Sequence, residues 1–365
     1  MVLLERARPA KPRVPGRPAL RVGRASVVWR PRTIAVLVVA AAVLVLGVAL
    51  NVGRGEYPIG VGQVLAVLVG GGDPGQQFIV LELRLPRSLT GVLVGGALAV
   101  SGALTQTVAR NPLASPDVIG FTAGASAAAV FLIVLGGGFG VLGGLLAAAG
   151  IPLAALAGSL VTAFAIYALA WRNGVQGFRL VLIGIGINAM LLAVVQWLLV
   201  VAQVYEAARA YTWLNGSLNA AGWEDVVLVT LALVVLVPAA LVLGHVMGGL
   251  QFSDDTARGL GIRVNGARSG LIIVAVALAA VATSAAGPIA FVALVAPQIA
   301  QRLVRAPRPP IMASLLVGGA LTVVADLIAR TAFGGTELPV GIVTAVLGAP
   351  YLLFLIARHG RKARA

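Results

Sequence analysis

From residue 33 to residue 358 the chain is a succession of apolar runs about twenty residues long, separated by short breaks rich in Pro, Gly or charge. About twenty apolar residues in a helix cross the hydrocarbon core of a bilayer with every backbone polar group satisfied internally. The pattern therefore predicts an all-α, polytopic membrane protein. Composition agrees: 59% of the 365 residues are hydrophobic, 11% are charged, and the mean hydropathy is +1.01. A water-soluble fold of this size could not cover itself with so little polarity.

Ten transmembrane helices are predicted, at about 33–52, 87–108, 117–136, 151–170, 179–203, 225–247, 268–286, 290–304, 310–332 and 339–358. The eighth is short. Residues 1–32, rich in Arg and Pro, read as a basic disordered tail rather than a cleaved secretory leader, and 359–365 as a short basic tail. With ten spans and a cytoplasmic first tail, both termini lie inside. Nine basic residues of that tail and thirteen of the inner loops and C-terminal segment then share one side, leaving five of the 27 outside: Arg54, Arg84, Arg87, Arg209 and Arg330. That asymmetry follows the positive-inside rule, and a shift by one span would destroy it. The net charge of +15 is thus a matter of topology and predicts no nucleic-acid partner.

Several chemistries are excluded. The chain has no Cys and two His, so thiol catalysis, disulfides and His-rich metal sites are out of reach. It contains no GxxxxGK[ST] phosphate loop and cannot itself be an ATPase. Apart from Asp326, the predicted helix interiors offer neutral polar groups such as Ser101, Thr105, Gln106, Asn188 and Gln196, whereas proton- or sodium-driven carriers usually hold ionisable or coordinating groups near the midplane. A weak echo between 91–114 and 272–297 is compatible with two related halves.

Five segments, in order and over nearly everything after residue 33, carry a resemblance: LRLPRSLTGVLVGGALAVSGALTQ (83–106), NPLASPDVIGFTAGA (111–125), ARGLGI (257–262), GPIAFVALVAPQIAQRL (287–303), and ADLIAR with ELPVGIVTAVLGAPYLLFLI (325–330, 337–356). Together they resemble the FecCD family, permease subunits of type II ABC importers for ferric siderophores, haem and cobalamin. The middle portion, 179–199 with 213–226, is most similar to a ferric-enterobactin-type permease. The resemblance implies ten spans per subunit and a second permease beside this one, a heterodimer being favoured over a homodimer. It also implies two ATPase subunits that use ATP and Mg, and an extracytoplasmic siderophore-binding protein. No cofactor is expected on this chain, which would sit among lipids of a bacterial inner membrane.

The same resemblance implies site residues. Arg84, Arg87 and Arg330 match outward arginines that receive carboxylates of the binding protein. Pro86 suits a helix first turn, so Arg87 is expected near a helix N-terminus, where the dipole disfavours a cation. Neutralisation by Glu82 or Glu56 is the local alternative, and Arg330 can instead pair with Asp326 one turn earlier. The loop 251–268 is the longest inner connection, and Ser253 can cap a short helix in it. Its residues Asp255, Thr256, Ala257, Arg258, Gly259, Leu260 and Gly261 match the segment that couples to the ATPase. Asn111, Pro112, Gln176 and Gly177 are inner-gate candidates. Two other functions remain open: a haem or cobalamin importer permease, and a secondary carrier working without ATP.

Overall fold

The computed structural model describes residues 19–22, 25–28, 30–55, 57–136, 140–172, 177–251, 253–333 and 337–362. Ten apolar helical segments correspond one for one to the expected spans. Among the described residues seven are long and apolar enough to cross a membrane. They are α1 (Pro31–Gly53), α4 (Leu85–Ala109), the Gly150–Ala170 arm of α7 (Gly140–Ala170), α8 (Gly177–Val201), α10 (Trp223–Met247), α12 (Val264–Ala286) and α14 (Ile311–Thr331). Three more are shorter: α6 (Phe121–Leu135), α13 (Val292–Val304) and the apolar part of α15 (Val340–Lys362). Short helices fill the connections: α2 (Val61–Leu68), α3 (Pro74–Gln77), α5 (Pro116–Ile119), α9 (Val204–Leu214) and α11 (Asp254–Gly259). Within the segment read as a disordered tail, Ala19–Val22 and Ala25–Val28 form an antiparallel hairpin pairing Ala19 with Val28.

α4 is the hub, buried along most of its length, and α10, α12, α13 and α14 pack around it. The two segments of the weak echo become α4 and part of α12 through α13, and α4 and α12 lie against each other. Small residues permit this density. A Cβ on Gly102 would fall on the carbonyl of Ala293 in α13. Two crossings are near copies: Gly95 and Ala99 of α4 meet Gly318 and Thr322 of α14, and Gly124 and Ala128 of α6 meet Gly158 and Thr162 of α7. In each, a Cβ on the first glycine would lie 2.5 Å from the opposing glycine's carbonyl oxygen. Small-xxx-small spacing is what lets membrane helices approach to backbone contact.

α13 has 13 residues and rises only about 20 Å. It follows an irregular stretch ending at Phe291, whose φ is 65°, and the Phe291 ring lies where a side chain on Gly348 of α15 would otherwise stand. Irregular backbone at membrane depth survives only when enclosed by protein. Ile289 and Val292 are buried accordingly. Below them, Gln106 donates to the Leu294 carbonyl at 3.1 Å and accepts from Gln298 at 2.7 Å, an amide pair tying α4 to α13.

The expected start of the second span is corrected. The helix does not begin at Pro86: it runs from Pro74, with a wider π-helical stretch over Phe78–Arg84 that passes directly into α4. Arg87 is therefore three turns inside a continuous helix, and the dipole penalty expected at a first turn does not apply.

Candidate functional site

Two ends of the bundle carry charge. At the end where α1 finishes and α4 begins, Asp326 of α14 is 1% exposed and is the centre of a network. Its Oδ1 accepts from Arg87 Nη2 at 2.9 Å and Nε at 3.2 Å, and its Oδ2 from Asn51 Nδ2 at 3.0 Å. Arg87 Nη1 donates to Glu337 at 3.0 Å and to Asn219 at 2.5 Å. Arg330 Nε lies 3.7 Å from Asp326 Oδ2, an ion pair too long for a hydrogen bond, while its Nη2 donates to the Asn51 carbonyl at 2.6 Å, to the Asn51 side-chain oxygen and to the Arg54 carbonyl at 3.2 Å. Among the described residues Arg84 has no carboxylate partner; its guanidinium donates to the carbonyls of Val52 at 3.0 Å and Tyr57 at 2.7 Å.

The structure thus brings Arg87 and Arg330 together around Asp326 and sets Arg84 beside them against the α1–α2 connection. Arg84 and Arg87 are each 8% exposed. Burial of charge is tolerated because each group is paired or hydrogen-bonded. The local alternative was neutralisation by Glu82 or Glu56: Glu82 is exposed and forms no ion pair among the described residues, and Glu56 lies outside them. The i, i+4 pair of Asp326 and Arg330 exists, but the stronger partner of Asp326 is Arg87, 239 residues away in sequence. Glu337, at 36% side-chain exposure, and Asn219 are the exposed side chains of the network.

At the opposite end, α11 forms as expected, with the Ser253 side chain accepting from Thr256 N at 3.3 Å. Asp255, Thr256, Arg258, Gly259, Leu260 and Gly261 are exposed, Leu260 by 63%, and Ala257 alone of the segment is buried. Asp255 and Arg258 pair across one turn at 3.3 Å. The residue that anchors this helix was not among those expected. Asp254 accepts two bonds from Arg268 of α12, at 2.7 and 2.9 Å, and one from Arg110 at the end of α4, at 2.7 Å. Hydrogen bonding to Arg268 and Arg110 holds the Asp254 carboxyl below the usual range, outweighing its partial desolvation. No local spacing announces this clamp.

Of the gate candidates, Asn111 and Pro112 line a cleft of about 260 Å³ with Gln106 and Gln298, and Asn111 Oδ1 accepts from Leu113 N at 2.9 Å. Gly177 packs on the end of α4, where a Cβ would stand 2.9 Å from the Val108 carbonyl oxygen. Gln176 lies outside the described residues. Asp117 of α5, which the sequence reading placed at a helix end, is half-buried, and its Oδ1 is buried without a hydrogen-bond partner among the described residues. Among the described residues no group of three or more His, Cys, Asp or Glu could hold a metal ion.

A bundle of ten apolar helices with an exposed, clamped α11 at one end can be set beside known proteins. The ferric enterobactin transport system permease protein FepG of Escherichia coli is 42% identical over 308 residues, 84% of this chain and 91% of that one. The cobalamin import system permease protein BtuC of Halobacterium salinarum is 39% identical over 283 residues, 77% of this chain and 73% of that one. A metal-chelate type ABC transporter solved in an inward-facing conformation superposes with a TM-score of 0.76 at 26% identity, covering 89% of this chain and 99% of the other. Residues 33–358 match the FecCD transport family, whose permeases leave ATP hydrolysis to a separate subunit, and the chain belongs to that family.

Proposed function

We propose that this chain is the permease subunit of an ATP-driven importer of ferric siderophores, of the catecholate, enterobactin-like class, in a bacterial inner membrane with both termini cytoplasmic. What supports a ferric siderophore as ligand is the 42% identity to a ferric enterobactin permease across 84% of this chain and 91% of that one, with an achromobactin permease of Dickeya dadantii at the same identity over 87% of this chain. The cobalamin permease covers less of both. A second permease completes the path, with a heterodimer favoured, and a binding protein delivers the chelate at the arginine end.

In this reading α11 sits on the ATPase. Exposed Thr256, Arg258 and Leu260 form the contact, and Asp254 transmits its displacement to α4 and α12 through Arg110 and Arg268. At the other end a partner carboxylate competes with Glu337 for Arg87 and reaches Arg330 beside it. Bidentate carboxylate recognition is what arginine does best. ATP and Mg act on the partner subunit only.

Uptake of iron-labelled ferric enterobactin, haem and cobalamin by a deletion strain complemented with this gene tests the proposal. Restored uptake of the ferric catecholate, lost when the partner ATPase is inactivated, is the expected result. Restoration of cobalamin or haem uptake alone would replace the ligand assignment, and transport independent of ATP would remove the importer reading altogether.

A further inference from the structure

A groove of about 530 Å³ runs along α1 where it meets α13 and α14. Its walls are apolar, including Val36, Val39, Val43, Ile299, Val317 and Val324. The one charged residue lining it is Arg32, at the end where α1 begins, whose Nε donates to the Leu303 carbonyl at 2.7 Å. From Arg32 to Val43 the helix rises about 16 Å. That is close to half of a hydrocarbon core roughly 30 Å thick, the depth of one leaflet.

The mouth of this groove is strongly basic. Arg30 and Arg32 flank Pro31 at the start of α1, and Arg305 and Arg308 occupy the connection from α13 to α14. None of the four forms an ion pair with a described carboxylate, and the first turn of α1 holds no acid. Burial lowers the pKa of Arg308, and the nearby charge of Arg30 lowers it further. Arg32 alone of the four lines the groove and Arg308 donates to the Gly244 carbonyl of α10 at 2.6 Å, and no carboxylate among the described residues pairs with this basic group beside an apolar channel one leaflet deep. A second copy of this chain is a poor occupant, because a two-fold axis along the membrane normal would bring one arginine cluster to the level of the other.

We propose that this groove is a binding site for a phospholipid with an anionic headgroup, one acyl chain lying against α1 between α13 and α14 and the phosphate held at Arg32. Basic pockets between transmembrane helices at a cytoplasmic surface select anionic headgroups, with roughly 1 kcal/mol for each Lys or Arg near the surface. The site is independent of the ligand that the transporter carries.

Native mass spectrometry of the purified permease–ATPase complex, titrated with phosphatidylglycerol or phosphatidylethanolamine of the same chains, tests it. The wild-type complex retains phosphatidylglycerol preferentially, and each of Arg30→Gln and Arg32→Gln reduces that retention about fivefold, the ratio corresponding to the single-charge value. Arg32→Lys preserves it. Ala40→Phe, which fills the groove and leaves the arginines in place, also reduces it. Equal retention of the two lipids would overturn the proposal, as would retention unchanged by Ala40→Phe or displacement of the lipid by millimolar inorganic phosphate. Because the chain has no native Cys, Val39→Cys also reports on a second copy: an intermolecular disulfide in membranes would overturn the lipid assignment, and its absence supports it.

Discussion

Replacing Asp326 by Asn removes one charge and almost no volume from the most enclosed ionic position at the arginine end. Every polar atom that the carboxylate meets is a donor: Nε and Nη2 of Arg87 at Oδ1, and Nδ2 of Asn51 at Oδ2, with Arg330 Nε close by. The new amide NH2 faces donors whichever way it is turned. Both bonds from Arg87 end on Oδ1: with the amide oxygen there they persist to a neutral acceptor while the NH2 opposes Asn51 Nδ2, and with the amide turned over both are lost, which at 1.5–3 kcal/mol for each bond to a charged group amounts to about 3–6 kcal/mol. That agrees with the ~3–5 kcal/mol cost of breaking a buried pair by removing one partner. Unfolding in mixed SDS and mild detergent, followed through the five Trp residues, measures it. Arg87→Leu and Asp326→Leu, alone and together, complete the cycle, and the double variant should be less damaged than the sum of the singles. A loss below about 1 kcal/mol for Asp326→Asn, the value of a solvent-exposed pair, would refute the argument.

Four further outcomes are expected. Asp254→Asn should leave the ATPase bound to the permease yet lower the transport obtained per ATP hydrolysed; unchanged stoichiometry would remove Asp254 from the coupling path. Since the folded-state pKa of Asp254 is depressed, its contribution is complete above the ordinary carboxylate range near 4 and is lost only as pH falls through the lower folded value; hydrogen exchange over 249–268 should therefore be as slow at pH 5 as at pH 7 after correction for intrinsic rates. Glu337→Gln should strengthen capture of the loaded binding protein by freeing Arg87, and weaker capture, measured by surface plasmon resonance on nanodiscs, would count against docking there. Gly95→Ala should cost about 1–3 kcal/mol by overpacking, whereas Gly62→Ala, whose new methyl meets nothing within 4 Å, should not destabilise the protein.

The spanning helices were legible because an apolar run of fixed length has one good solution in a bilayer. Even the shortness of α13 could be read from its residues. What escaped were the pieces outside the hydrocarbon. α2 and α9 are short and amphipathic, and the extension from Pro74 through the π-helical stretch was hidden by Pro86, which reads as a helix start. Site residues divide in the same way. The cap at Ser253 and the spacing of Asp326 and Arg330 are local and were visible. The pairing of Arg87 with Asp326 and of Arg110 with Asp254 joins residues 239 and 144 positions apart, and no periodicity carries that information.

The twin glycine crossings have a mechanical consequence. Helices held at backbone contact resist sliding, because only the short side chains of Ala99 and Thr322, or of Ala128 and Thr162, stand at each crossing and they are already in contact. α4 with α14, and α6 with α7, are therefore two riveted planks. Any opening of a path past them must be taken up where the chain is not riveted. A push arriving from α11 through Arg110 would tilt the first plank as one piece, carrying Arg87 and Asp326 at its far end.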